Sequence, residues 1–216
     1  LIKCDKEKDY EIWIKNEMIN PTGTYKDRPA AVSVSKAKEL SAAGVIVASD
    51  GNAAPAVAAY AAKGGIRSIV LMPEDTPSIN YLQTAALGAD MFLVDGSIND
   101  CIDLAAEISD ITNFHNCSTT ISVNPYQVEA DKTIVFEILY KKKFNLDYIA
   151  VPVGGGGLLI GTIKGLFELA DFNIIDKLPR VLAVQAAECA PFVRAFKNQE
   201  MVQKWNDDIR TRATKI

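Results

Sequence analysis

Regular alternation of strands and helices predicts an α/β fold, with parallel sheets covered by helices on both faces. Three observations carry this reading. Apolar, β-branched runs such as 45–48 and 148–153 have the character of strands buried on both sides. Helix-length segments rich in alanine or leucine follow them, at 53–63 and 158–170. The joints between strand and helix carry glycine: Gly51 in one case, and Gly154 to Gly157 in the other.

Taken in order, strands are expected near 11–15, 45–49, 67–72, 90–94, 119–123, 148–153 and 181–185. Helices are expected near 28–40, 53–63, 78–87, 98–109, 131–142, 158–170 and 190–198. Gly64-Gly65 and Gly88 stand where C-terminal caps belong. No internal repeat or low-complexity stretch interrupts the pattern.

Composition sets outer bounds. The chain has 216 residues, 49% hydrophobic and 23% charged, with net charge −4. That suits a globular chain with one or two cores. Mild acidity gives no reason to expect nucleic acid or an anionic membrane as partner. Charged residues interrupt every apolar run before it reaches spanning length. Lys141-Lys142-Lys143 reads as a solvated helix end. Cys4, Cys101, Cys117 and Cys189 are far apart, which argues against a disulfide framework and for buried thiols in a reducing compartment. His115 is the only histidine, so a histidine-based triad or multi-histidine metal site is excluded. It is expected in a surface loop beside Asn113 and Asn116. No secretory signal pattern opens the chain, and a cytoplasmic location is expected. Leu1 rather than Met stands first, which leaves room for a removed targeting segment.

Three segments carry chemistry. Residues 20–28 read N-P-T-G-T-Y-K-D-R. Lys26 follows a tight turn and begins an amphipathic helix, which suits an amine that condenses with a carbonyl. The alternative is a plain loop lysine ahead of a helix. Ser49-Asp50-Gly51-Asn52 lies at the carboxyl end of a strand, where α/β sheets bind ligands. Its alternative is a strand–helix turn with Asn as a cap. Gly154-Gly155-Gly156-Gly157, followed by Leu158, exposes backbone N–H groups at a helix start and suits a phosphate monoester. Its alternative is close packing of strand on helix. The dinucleotide pattern G-x-G-x-x-G fails, because Leu159 or Ile160 stands where the third glycine belongs. The Walker pattern fails because Thr162 follows Gly161 where Lys is needed.

In order and spacing, the three segments resemble the fold type II pyridoxal-phosphate superfamily, and within it the threonine synthases. The lysine motif there usually reads N-P-T-G-(S/T)-(F/Y)-K-D-R, and the glycine stretch V-P-V-G-x-G-G. The resemblance extends to Ser122–Tyr126, to Glu129 with Lys132-Thr133, to 177–180, and on to Gln185-Ala186 and Ala190-Pro191. It implies two doubly wound parallel-sheet domains with a cofactor cleft between them. Residues 20–128 would form the first. Residues 1–19 and 129–216 would form the second.

The same resemblance implies pyridoxal 5'-phosphate as cofactor. Lys26 would form the Schiff base and serve as general base and acid. Asn52 would bond the ring hydroxyl, and Gly154, Gly155, Gly156, Gly157 and Leu158 the phosphate. Thr24 and Ser49 are candidates for substrate oxygens, and Lys132 for the substrate phosphate or for a solvated helix start. Asp27 and Arg28 are expected to supply an orienting salt bridge. The implied reaction converts O-phosphohomoserine and water to threonine and phosphate.

Two departures qualify the match. Asp50 stands where threonine synthases usually have Thr, and Ala53 where they often have Thr. An acid there opposes a substrate carboxylate. Diaminopropionate ammonia-lyases carry an Asp-Gly-Asn turn at this place, so Asp50 is open to three roles: ammonium contact, proton transfer or helix N-cap. Family chains also begin with a G-x-x-T-P segment ahead of the position of Leu1 and run past Ile216. The residue facing the pyridine nitrogen therefore has no candidate here. The expectation is a fragment, a homodimer or a complementing chain, acting on a small amino acid or reduced to a non-catalytic remnant.

Overall fold

The computed structural model describes residues 1–5, 10–139, 146–205, 209 and 211. The chain divides into two units, Leu1–Asp131 and Lys132–Ile216. In this division residues 1–19 fall with the first unit.

The first unit opens on an antiparallel pair, β1 (Ile2–Asp5) and β2 (Ile12–Ile14). Then follow α1 (Asp27–Glu39), β3 (Gly44–Ala48), α2 (Ala53–Gly64), β4 (Arg67–Pro73), α3 (Ser78–Ala86), β5 (Asp90–Val94), α4 (Ile98–Ile111), β6 (Phe114–Asn116) and α5 (Tyr126–Asp131). The four later strands form one parallel sheet in the order β5-β4-β3-β6. Strand β3 lies inside it and is buried at every residue. Its alternation splits the core in two. Val45 and Val47, with Val70 and Met72 of β4, pack with Ala30, Val34 and the alanines of α2. Ile46, Ala48 and Leu71 pack with Cys101 and Ala105 of α4. Helix α2 buries seven of its residues, which explains its run of small apolar side chains. Helix α4 begins with a capping box between Ser97 and Asp100.

The chain first adds β4 and β5 on one side of β3, then returns to place β6 on the other. That reversal makes the carboxyl ends of β3 and β6 a topological switch point. The Ala48 N–H donates to Ser118 Oγ at 3.0 Å, and the Cys117 N–H to the Ile46 carbonyl at 2.7 Å. Both bonds tie those ends together.

In the second unit, α6 (Thr133–Leu139), β7 (Tyr148–Pro152), α7 (Gly157–Asp171), β8 (Arg180–Val184) and α8 (Pro191–Asn198) follow in order. Strands β7 and β8 are parallel and in register from Tyr148↔Arg180 to Pro152↔Val184. Tyr148, Leu182 and Val184 are exposed on them. Among the described residues, no helix is long and apolar enough to cross a membrane.

Most elements lie where the sequence predicts them, and Gly65 and Gly88 adopt the left-handed conformation expected of caps. Three expectations are corrected. The strand expected at 119–123 is a turn, because the Thr120 carbonyl accepts from both Val123 and Asn124 N–H groups, at 3.1 and 2.9 Å. The edge of β3 is taken instead by Phe114–Asn116. The helix expected over 131–142 is two helices, α5 and α6, that meet at Lys132. Its last residues, and Lys141-Lys142-Lys143, lie outside the described residues. His115 is not in a loop; it stands in β6, half-buried, with its ring 5.9 Å from that of Tyr126. Burial and, after it, the Lys36 charge push its pKa down. Cys101 and Cys117 are buried thiols, and burial pushes Cys117 up to about 12. Cys189 is only half-buried.

Gly44 tests the tightness of this core. A methyl group there would lie 2.5 Å from Phe114 Cε1 and 2.7 Å from the Arg67 carbonyl oxygen. One of these is backbone shared with β4, so the sheet itself would have to yield. Gly44→Ala is expected to destabilise the fold by about 1–3 kcal/mol, as overpacking does. Urea denaturation measures it, and an unchanged midpoint would show that the strand edge relaxes freely.

Candidate active site

Lys26 sits at the N-cap of α1 with helical backbone angles, and its own N–H donates to Thr24 Oγ1 at 3.1 Å. The turn ahead of it is closed by the Gly23 N–H donating to the Asn20 carbonyl at 2.8 Å. Asn20 Nδ2 donates to the Thr24 carbonyl and to Glu17 Oε2. Asp27 Oδ2 accepts from both the N–H and the hydroxyl of Thr22, at 3.0 and 2.9 Å. The orienting ion pair expected at this motif is made by Arg28 with Glu17. It is two-pronged, with Nε–Oε2 at 2.6 Å and Nη2–Oε1 at 2.9 Å. Among the described residues, the Lys26 amine makes no hydrogen bond or ion pair. Its recorded neighbour is the Tyr25 ring, with Nζ 4.8 Å from the centroid.

Ser49, Asp50, Gly51 and Asn52 occupy the switch point at the carboxyl end of β3. Ser49 Oγ accepts from the Gly51 N–H at 3.2 Å. Asn52 immediately precedes α2 with helical backbone angles, and its side chain makes no capping bond. Its amide is exposed at the rim of the sheet. The Asp50 carbonyl accepts from Asn80 Nδ2 of α3 at 2.8 Å, which anchors the turn from the other side.

Helix α5 packs on α1. Asn124, just ahead of it, exchanges hydrogen bonds with Ser33 of α1, at 2.9 and 3.2 Å. Asp131 ends α5 at 1% exposure, and its Oδ1 has no hydrogen-bond partner. Burial pushes its pKa up to about 7, against the opposing pull of Lys26 and then Arg28. Sequence reasoning missed Asp131 and Glu17. For Asp131 a signal existed: Gln127 and Asp131 are four residues apart, polar residues on one face of a buried helix. Nothing local marks Glu17 as the partner of a residue eleven positions on.

The glycine turn belongs to the second unit. Gly156 is the N-cap of α7 at φ +90°, a conformation that excludes ordinary side chains. A methyl group on it would also lie 2.9 Å from Phe192 Cζ. The first helical bond runs from the Ile160 N–H to the Gly156 carbonyl. The N–H groups of Gly157, Leu158 and Leu159 therefore have no acceptor within the helix. A methyl at Gly155 would meet nothing within 4 Å, so its backbone is open to approach. Lys132, in the same unit, is not a solvated helix start. It pairs with Glu168 of α7 at 2.9 Å, with 18% of its side chain exposed.

The Glu17 clamp has a pH signature. Burial raises the Glu17 pKa, but hydrogen bonds from Arg28, Lys15 and Asn20 lower it further, to about 2 from an ordinary 4.5. A depressed carboxylate stabilises the fold above the ordinary value and loses that contribution as pH falls from 4.5 toward 2. Reduced by solvent screening of this partly exposed pair, the contribution is on the order of 1 kcal/mol at neutral pH. Glu17→Gln is expected to remove most of it at pH 7 and to flatten the acid limb of stability against pH. Parallel urea curves for the two proteins between pH 7 and pH 3 measure both effects.

Comparison with known proteins places the chain. The threonine synthase of Synechocystis sp. is 36% identical over 189 residues, covering 87% of this chain and 48% of that protein. The threonine synthase of Mycobacterium tuberculosis is 38% identical over 189 residues, covering 87% of this chain and 52% of that protein. The chain thus spans about half the length of these curated relatives. Among solved structures, serine racemase from Dictyostelium discoideum superposes with a TM-score of 0.74 at 23% identity, over 90% of this chain and 60% of that one. At that identity the likeness speaks for the fold. The family described as pyridoxal-phosphate dependent enzyme matches residues 1–216, and the chain belongs to it.

Proposed function

We propose that this chain is the lysine- and phosphate-binding part of a pyridoxal-phosphate lyase of threonine synthase type, with Lys26 as its reactive amine. The observation that carries the proposal is the Lys26 turn. Two carboxylates, Glu17 and Asp27, brace the backbone around a lysine whose own amine is committed to no ion pair among the described residues. A braced backbone with an uncommitted amine is what a nucleophilic lysine requires.

The residues present fit the cofactor. The left-handed Gly156 and the free N–H groups of α7 suit a phosphate monoester. When bound, pyridoxal phosphate supplies an electron sink for charge developing at the substrate's Cα. Lys26 Nζ is the amine that would hold the group through its aldehyde carbon, and it would serve as the base and acid for protons at the substrate's Cα and Cβ. Asn52, whose side chain makes no capping bond, would donate to the ring hydroxyl. Thr24 and Ser49 offer hydroxyls to substrate oxygens. Lys132 reaches a substrate phosphate only by giving up part of its hold on Glu168.

For the substrate, the first choice is O-phosphohomoserine, converted with water to threonine and phosphate. The curated relatives named above support it. One observation favours a second reading. The chain places an acid, Asp50, in the turn at the carboxyl end of β3. An acid at the switch point suits a substrate bearing an extra ammonium, such as 2,3-diaminopropionate.

Two experiments decide these points. Reconstitution with pyridoxal phosphate followed by borohydride is expected to leave a stable pyridoxyl group on Lys26, located by peptide mass spectrometry. A label on any other lysine would overturn the assignment. For the substrate, Asp50→Thr is expected to raise turnover of O-phosphohomoserine at least tenfold relative to 2,3-diaminopropionate. Equal rates before and after the change would show that Asp50 plays no part in selection.

A further inference from the structure

Gln185 and Pro191 stand outside the lysine and glycine turns, yet both lead to the second of them. Pro191 opens α8, and the Val193 N–H in its first turn donates to Gln185 Oε1 at 3.1 Å. That bond satisfies one of the orphan donors at the helix start and ties α8 to the residue that follows β8. Held in this way, α8 points Phe192 at the glycine turn. The ring atoms Cζ, Cε1 and Cε2 lie 2.9, 3.4 and 3.7 Å from the place a Gly156 Cβ would take. The tip of the ring therefore backs Gly156 on the side where another residue would carry its side chain. Phe196, one turn further along α8, is 86% exposed, so the helix turns one phenyl ring inward and one outward.

The other end of the turn is held as well. The Val153 N–H donates to the Val184 carbonyl at 2.8 Å, and Val153 is 4% exposed. Between the two holds, a methyl at Gly155 would meet nothing within 4 Å. Consecutive glycines have more conformational freedom to lose than any other residues. A turn made of them keeps its N–H groups aligned only when its neighbours fix it.

We infer that Phe192 is a positioning residue for the glycine turn. Its ring, held by the bond to Gln185, backs Gly156 in the left-handed conformation from which α7 starts, and so keeps the N–H groups of Gly157 and Leu158 aligned for a phosphate monoester. This rests on the reading of that turn as the phosphate-binding part of the site. The ring acts on the shape of the turn before any ligand arrives. Its effect therefore falls on the phosphate and not on the rest of the cofactor.

The test titrates inorganic phosphate into the full chain with no cofactor added, and follows the backbone amide signals of residues 155–158 by NMR. Saturable shifts are expected in the unmodified chain. Phe192→Ala is expected to weaken phosphate about tenfold, because binding would then have to order the turn. Phe192→Leu keeps an apolar side chain too short to back Gly156 and should act in the same direction. Gln185→Ala frees the start of α8 and should do so too, which keeps the question open to measurement if α8 fails to pack without an aromatic ring. Phe196→Ala removes the outward ring of the same helix and should change nothing. A second readout compares pyridoxal phosphate with pyridoxal, which lacks the phosphate. The Phe192 variants should lose about tenfold in affinity for the first and hardly any for the second. An equal loss for both compounds would mean a general loosening of the fold and would overturn the inference. Phosphate bound as tightly by both Phe192 variants as by the parent would overturn it as well, while leaving the phosphate reading of the turn in place. A parent chain with no saturable phosphate shift would remove that reading, and this inference with it.

Discussion

Strand β3 is buried on both faces along its whole length, and the first unit is organised around that fact. A strand with no solvent face cannot use polar alternation, so Gly-Val-Ile-Val-Ala must find apolar partners above and below. Helices α1 and α2 satisfy one face and α4 the other. The tightness of that arrangement fixes the carboxyl end of β3, and with it the Ser49–Asn52 turn. The lysine turn is fixed by different means. It depends on polar bonds from Glu17 and Asp27 rather than on burial of apolar surface. The rim of the sheet is thus set by packing, and the start of α1 by charge.

Those two kinds of restraint explain what could be read from the sequence. Packing leaves a periodic trace. The runs at 45–48 and 67–72, the alanine-rich 53–63 and the glycine caps all mark their elements, and the structure follows them closely. The turns ahead of α1 and α7 were also legible, because glycine and the residues beside it mark both in consecutive positions. The pairing of Arg28 with Glu17 was not, since it joins positions that no local pattern connects. The buried carboxyl of Asp131 was half legible: its spacing from Gln127 was visible, but its isolation depends on how α5 meets α1.

The misread segment between β6 and α5 is instructive in the same way. Thr119–Val123 has the β-branched content of a strand. Phe114, His115 and Asn116 pair with β3 instead, and the Thr120 carbonyl draws the following residues into a turn. Competition for one edge of one strand decides the matter, and propensity alone cannot see the competitor. The same return of the chain to that edge creates the switch point beside Ser49, so the feature hardest to predict also sets the end of the sheet at which open α/β folds generally bind ligands.

Asn52 has a consequence for engineering. Helix α2 begins with a residue type well suited to capping that does not cap. A side-chain cap is typically worth about 1 kcal/mol, and the Asn52 side chain supplies none. Automated thermostabilisation looks for such openings and would rewrite this one with a residue that closes the helix on itself. The gain in melting temperature would come from turning inward the very amide that is left facing outward. Libraries built on this scaffold are best made with position 52 held constant.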